Sequence, residues 1–454
     1  MAFTTLNPAS GELVEEYPSW EEEELESALA QTAAATEGWQ ATAMTDRGRL
    51  MHRTAELLRS RSDQLAAIIT LEMGKLLKEA KAEVEKCAWV CDYYADQAPA
   101  FLADEVIESD AGRSLVAYQP LGTVLAVMPW NFPFWQVFRF AAPTLMAGNT
   151  GLLKHASNVP QCALAIEAIF HDAGFPEGVF RTLMISAAQV EGVIRDRRIH
   201  AVTLTGSEPA GRKVAATAGE VLKPSVLELG GSDPFIVLED ADLDLAIGQA
   251  ITSRYLNCGQ SCIAAKRFIV VDAIADEFVA RFSGAVEGLM AGDPSDGATS
   301  LAPMARADLR DELHKQVEES AAQGAVIVTG GYPLKRDGAY YAATILDKVE
   351  PGQRAYGEEL FGPVAIVIRA RDEADAIRIA NDSDFGLGGS IWTQNNARGE
   401  ALARQVQSGC VFVNGMVKSD PRLPFGGIKN SGYGRELSLM GIREFVNAKT
   451  IWIR

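Results

Sequence analysis

The chain has 454 residues, 48% apolar and 22% charged, which is ordinary for a folded protein and long enough for two or three domains with their own cores. Its net charge of −18, with no basic stripe, argues against a nucleic-acid partner, since nothing is placed to neutralise phosphates. No apolar run reaches the roughly 20 residues of a membrane-spanning helix, and six cysteines are too sparse for a disulfide framework, so a reducing cytoplasm is expected.

Near the start, Glu21 to Glu24 form an acidic run, where a signal peptide would place basic and apolar segments. From about 46 to 98 the apolar positions, among them Leu50, Met51, Ala55, Leu57 and Leu58, recur near helical spacing and predict two long amphipathic helices. A strand is expected at Ser114 to Tyr118. Short apolar strands then alternate with helices. The strands are Val124 to Met128, Gly151 to Leu153, Phe180 to Met184, Ala201 to Leu204 and Val226-Leu227. Between them come helices through Phe138 to Ala142, from Gln161 to Ala173 and after Ser207. Repeated units of this length predict a parallel sheet with helices on both faces, which binds ligands beyond the carboxyl ends of its strands. Pro129, Lys154, Gly206 and Glu228 all fall at those ends. A second α/β unit begins near Gly231 and holds Cys262, Glu359 and a strand from Ala365 to Ile368, and Ile451 to Arg454 reads as an edge strand.

Two segments carry reactive groups, Glu228-Leu229-Gly230-Gly231 and Asn257-Cys258-Gly259-Gln260-Ser261-Cys262. A thiol can add to a carbonyl, and a carboxylate can activate the water that releases the acyl group. Read singly, each residue also has a plainer account. Cys262 could be a packing thiol, Glu228 a strand-end carboxylate paired with a lysine, and Asn131 the cap of the helix after Pro133. Arg139 could be a helix-surface arginine and Cys258 a small turn residue. Thr205-Gly206-Ser207-Glu208-Pro209-Ala210-Gly211 stands where a Gly-x-Gly-x-x-Gly turn would be, and a helix start there can hold a pyrophosphate. His52, His171, His200 and His314 show no ligand spacing, so no metal site is expected.

With Pro129-Trp130-Asn131-Phe132-Pro133, Glu359-Leu360-Phe361-Gly362-Pro363 and Pro424-Phe425-Gly426-Gly427, these segments make five motifs in one order. The set resembles the NAD(P)-dependent aldehyde dehydrogenases, from about Asn7 to Trp452, and is most similar to the bacterial succinate-semialdehyde dehydrogenases. The resemblance implies a Rossmann-type cofactor domain (1–107 and 120–230), an α/β catalytic domain (231–430) and a β-strand arm (108–119 and 437–454) that pairs subunits as a homodimer or homotetramer. It makes Cys262 the nucleophile, Glu228 the general base and Asn131, with the Cys262 N–H, the oxyanion donor. Trp130, Lys154, Ser157, Gly206, Ser207, Leu229, Glu359 and Phe361 become cofactor contacts, and Arg139 and Ser419 bind the carboxylate of a semialdehyde. NAD-specific relatives often carry a glutamate where Ser157 stands, so NADP is favoured, with NAD as the second choice. His155 replaces a common proline, and Leu256 stands where some relatives carry a second arginine, with Arg254 out of register. Cys258, four residues before Cys262, could form a masking disulfide with it. Two other classes compete: a cofactor-independent thiol hydrolase or esterase, which would need a histidine base, and a non-catalytic protein on a reused scaffold.

Overall fold

A computed structural model describes residues 3–454. Two mostly parallel sheets dominate it. The first has six strands in the order Gly432–Tyr433, Ser225–Glu228, Ile199–Thr205, Thr123–Met128, Thr150–His155 and Phe180–Thr182, and only the first of these runs antiparallel. Its strands are continuous apolar runs because both faces are covered. Val124, Ala126 and Met128 point into a core with the helices Met44–Ser60, Leu77–Phe101 and Trp135–Met146, while Leu125 joins Val193, Val214 and Leu29 on the other face. That division is the period of two expected of a strand.

The region 46–98 is three helices rather than two, Met44–Ser60, Ser62–Met73 and Leu77–Phe101. Gly74 ends the second in the left-handed conformation at φ +79°, and a side chain there would meet Pro303 at 2.9 Å. Only Arg61 separates the first two, at φ −106° and ψ 13°, with no proline or glycine to mark the break.

The second sheet runs Val326–Thr329, Thr344–Asp347, Val364–Ala370, Ala265–Val271, Asp233–Val237, Ser390–Trp392 and Phe412–Val413, parallel except at its first edge. The chain crosses from one sheet to the other in four residues, since Glu228 ends a strand of the first and Asp233 begins one of the second. Asn131 follows a strand of the first sheet by three residues, and Cys262 precedes a strand of the second by three. The seam therefore collects the reactive groups. A third sheet pairs Val446–Ile453 with Arg113–Pro120, and the latter with Glu105–Val106; its last strand is longer than Ile451 to Arg454. Val106, Ile451, Trp452 and Ile453 are exposed there. No helix among the described residues is long and apolar enough to cross a membrane.

Candidate active site

Glycines explain how the five motifs meet. A side chain at Gly231 would lie 2.6 Å from the Cys262 carbonyl oxygen, and one at Gly230 would strike the Glu359 carboxylate. One at Gly426 would lie 2.7 Å from Glu228 Oε1, and one at Gly259 would strike the Gly362 carbonyl. Only residues without a Cβ allow these approaches. Gly231 N–H also donates to Glu359 Oε1 at 3.1 Å, and the Lys266 ammonium pairs with the same oxygen at 3.1 Å. Lys266 further donates to the carbonyls of Ser261 and Cys262, each at 2.8 Å, which pins the loop carrying the thiol.

That loop is held from a second side. Asn131 Nδ2 donates to the Gln260 carbonyl at 3.0 Å, while its Oδ1 accepts from Gln136. Asn257 Nδ2 donates to the carbonyls of Asn131 and Gln260 at 2.8 and 3.0 Å. Asn257 and Cys258 both adopt left-handed backbone, at φ +55° and +54°. Asparagine tolerates that conformation, and the Asn-x-Gly pattern is its only trace in the sequence. Arg254 is fully buried and donates to the carbonyls of Gly259, Leu360 and Gly362, tying the thiol loop to the Glu359–Phe361 segment. It is a brace between loops, not a second substrate cation.

Cys262 opens onto a cavity of about 440 Å³ together with Phe132, Trp135, Gln136, Arg139, Ser253, Ile263, Ser419 and Phe425. Burial pushes its thiol up to about 12, against the pull of Arg139 and Lys266. The Cys262 N–H has no acceptor among the described residues, and Asn131 Nδ2 spends one of its two protons on the Gln260 carbonyl, two residues before Cys262. Asn131 does not cap the next helix. The N–H groups of Phe134 and Trp135 donate instead to Glu83 Oε1, each at 2.9 Å, from the helix Leu77–Phe101.

Glu228 is buried, and neither carboxylate oxygen has a hydrogen-bond partner among the described residues. No lysine pairs with it. Burial raises its pKa well above the carboxylate range, Glu436 adds to the rise, and Arg139 and Arg435 oppose it. Arg139 lines the cavity, as expected, but its Nε sits 2.5 Å from Glu436 Oε2 and its Nη2 donates to Thr205 Oγ1 at 3.2 Å. Its charge is thus already matched. The cavity also contains Lys86, which sequence reasoning missed. The Lys86 ammonium donates to Ser419 Oγ at 2.7 Å and rests 4.1 Å from the centre of the Trp135 ring. Burial, then Arg139, hold that amine down to about 8.

On the cofactor side, the Trp130 and Phe361 rings meet edge-on at 5.8 Å. Lys154 is the next-to-last residue of the strand Thr150–His155 and is buried, its ammonium making no hydrogen bond or ion pair among the described residues, while Ser157, three residues later, is exposed. Gly206 and Ser207 precede the helix Glu208–Glu220, and the Ser207 side chain does not cap it, so its first N–H groups stay available. Leu229 is buried against Gly211, where a side chain would lie 2.6 Å from its Cδ2.

His155 is a clasp. Its Nδ1 accepts from the Ala156 N–H at 2.9 Å, so Nε2 is the donor to the Pro133 carbonyl, also at 2.9 Å. Burial lowers its pKa from 6.5 to about 4. A base depressed in the folded state supports stability above its unfolded pKa and loses that support as pH falls through the folded one. Melting curves should therefore show a loss between about pH 6.5 and 4 that His155→Gln reduces. Parallel acid profiles for the two proteins would rule this clasp out as a contributor.

The aldehyde dehydrogenase family matches residues 1–451. A Mycobacterium ulcerans protein named succinate-semialdehyde dehydrogenase (NADP+) 1 is 52% identical over 457 residues, covering 100% of both chains. A Mycobacterium leprae succinate-semialdehyde dehydrogenase (NADP+) is 52% identical over 456 residues, again with full coverage of both. The crystal structure of a Streptococcus pyogenes succinic semialdehyde dehydrogenase in complex with NADP+ superposes with a TM-score of 0.98 at 39% identity, covering 100% of both chains. Geometry and likeness agree, and the chain belongs to the aldehyde dehydrogenase family.

Proposed function

We propose that this enzyme oxidises succinate semialdehyde to succinate with NADP+ as oxidant. The observation that carries the reading is the meeting of Cys262, unpartnered Glu228 and Asn131 at one seam, in a chain about half identical to named succinate-semialdehyde dehydrogenases. The site suits a phosphorylated dinucleotide: Lys154 is a buried cation without a partner, Ser157 offers a hydroxyl where a carboxylate would repel phosphate, and the Glu208–Glu220 helix start keeps free N–H groups.

Cys262 adds as thiolate to the aldehyde carbon, and Asn131 Nδ2 with the Cys262 N–H receives the oxyanion. The oxidised nicotinamide, when bound, accepts the hydride lost from that carbon. Glu228 then takes a proton from water, whose oxygen attacks the thioester, and the Cys262 sulfur leaves as the acid forms. Gly231 lets the backbone after Glu228 lie against the Cys262 carbonyl, and Gly230 lets it lie against Glu359. Arg139 and Ser419 line the cavity and support a substrate that ends in a carboxylate. A thiol hydrolase is disfavoured because the histidine nearest these motifs, His155, has both ring nitrogens committed to backbone. Assays of succinate semialdehyde and neutral aldehydes with each cofactor, followed at the reduced-nicotinamide band, test the proposal. Activity on semialdehyde without cofactor would sink it.

Cofactor choice gives a sharper test. Ser157→Glu places a carboxylate beside the expected 2′-phosphate, and like charges a few ångström apart repel by more than 1 kcal/mol at a protein surface. The ratio of kcat/KM for NADP over NAD should fall about tenfold or more, mainly through KM for NADP. An unchanged ratio would move the discrimination to the start of the Glu208–Glu220 helix.

The division into cofactor domain (1–107 and 120–230), catalytic domain (231–430) and arm (108–119 and 437–454) belongs to the same proposal. The two parallel sheets and the exposed Ile451, Trp452 and Ile453 support it, the arm then pairing with a second copy as a homodimer or homotetramer. Six free thiols accord with a reducing cytoplasm.

A further inference from the structure

The cavity beside Cys262 carries several cations, and they differ in what holds them. Lys75 is ion-paired with Glu83 and sits 3.8 Å from the centre of the Phe132 ring. Arg139 is ion-paired with Glu436. Lys78 and Lys418 are exposed to water, which screens them. Lys86 alone among these is half-buried and has no carboxylate within ion-pair distance among the described residues.

We infer that Lys86, acting with Ser419, supplies the positive charge that recognises the distal carboxylate of the substrate. This rests on the semialdehyde reading above and deepens it. The hydrogen-bond inventory points the donors into the cavity. An ammonium has three N–H groups, and Ser419 Oγ takes one of them. Ser419 Oγ also accepts from Trp135 Nε1 at 3.0 Å, so both of its lone pairs are occupied. Its own proton is then left to donate, and no protein acceptor takes it. Two ammonium protons, with the Trp135 ring beside them, and one hydroxyl proton thus have no hydrogen-bond acceptor among the described residues at this wall of the cavity.

Charge reasoning favours the same assignment. Arg139 keeps spare N–H groups, but it shares its charge with Glu436, which leaves it a weaker anchor for a carboxylate than an unpaired cation would be. Glu83 spends one oxygen on the Phe134 and Trp135 N–H groups and the other on Lys75, so it does not neutralise Lys86 directly. Glu79, the other acid of the wall, accepts from the Asn257 N–H, and burial holds its carboxyl up to about 7. Among the described residues, Lys86 is therefore the half-buried cation of the cavity that no carboxylate pairs with directly, Glu83 and Asp420 acting on it only from beyond ion-pair distance.

The test is steady-state kinetics on the intact enzyme with succinate semialdehyde and with butanal, a neutral aldehyde of the same chain length. Lys86→Met keeps the stem and removes the charge. KM for succinate semialdehyde should rise about tenfold to a hundredfold, with kcat within about twofold and KM for butanal unchanged or lower. Lys86→Arg should recover most of the loss. Lys86→Gln, which keeps a donor to Ser419 without charge, should behave like Lys86→Met and guards against a packing artefact at methionine. Equal losses on both aldehydes, or a semialdehyde preference that survives Lys86→Met and Lys86→Gln, overturns the role of Lys86 alone. A wild-type enzyme that does not prefer succinate semialdehyde over butanal overturns the substrate reading, and this inference with it.

Discussion

Cys262→Ala should reduce aldehyde oxidation by about ten-thousandfold or more while NADP+ still binds, as read by calorimetry. The size follows from covalent catalysis, because without the sulfur no acyl group is carried and Glu228 has no thioester to hydrolyse. Binding should survive since the groups suited to the dinucleotide, Lys154, Ser157 and the Glu208–Glu220 helix start, lie on the first sheet. The thiol at rest is held up to about 12 by burial, so the surrounding positive charge of Arg139 and Lys266 has to help create the thiolate. Among the described residues no other cysteine lines the cavity. Cys258, four residues earlier, is buried with a raised pKa, the setting of an inert packing thiol and not of one ready to mask Cys262 by oxidation. Turnover above about one per cent of wild type in the alanine variant would show that Cys262 is not the nucleophile.

Parts of this site could be read in the sequence because the chemistry leaves local marks. Cys262, Glu228 and Asn131 each have glycines or prolines within a few residues, and the reason is steric: Gly231, Gly426 and Gly259 let Cys262, Glu228 and the Glu359 segment approach one another. The alternating strands and helices of the first sheet were readable for the same local reason, a period of two inside apolar runs. Long-range pairings left no such mark. Lys86 and Ser419 are 333 positions apart, and Lys86 lies on a charged helix face that looks like any solvated one. The partner of Arg139, Glu436, follows the last motif by nine residues and is brought back beside Phe425 by an antiparallel bridge, a pairing with no local mark in the sequence, so the ion pair was not expected. The break at Arg61 was equally invisible, since neither glycine nor proline marks it. His155 shows the opposite case. A departure from the common proline looked like doubt about loop geometry, yet Nε2 of this histidine fastens the loop to the Pro133 carbonyl while Nδ1 accepts from the Ala156 N–H.

Glu228→Gln should give one burst of reduced cofactor, close to one equivalent per active site, and then stall with the acyl group on Cys262. The reason lies in how Glu228 is kept. Its oxygens have no partner, it is buried, and burial with Glu436 nearby raises its pKa while Arg139 and Arg435 limit the rise. A carboxylate so placed is a stronger base than one in water and is free to face the attacking water. Glutamine has the same shape but no basicity, so thiolate addition and hydride loss proceed and hydrolysis does not. The sign of the pH effect follows. In the wild type the basic form of Glu228 grows as pH rises, and burial moves that rise to higher pH than for an ordinary carboxylate, so turnover limited by deacylation should climb with pH and that limb should vanish in the variant. Misfolding is a poor rival explanation, because replacing an unpaired buried carboxylate with a neutral amide removes a desolvation cost, and the variant should melt no lower than wild type. Steady turnover without a burst, at an unchanged melting temperature, would mean that another group activates the water.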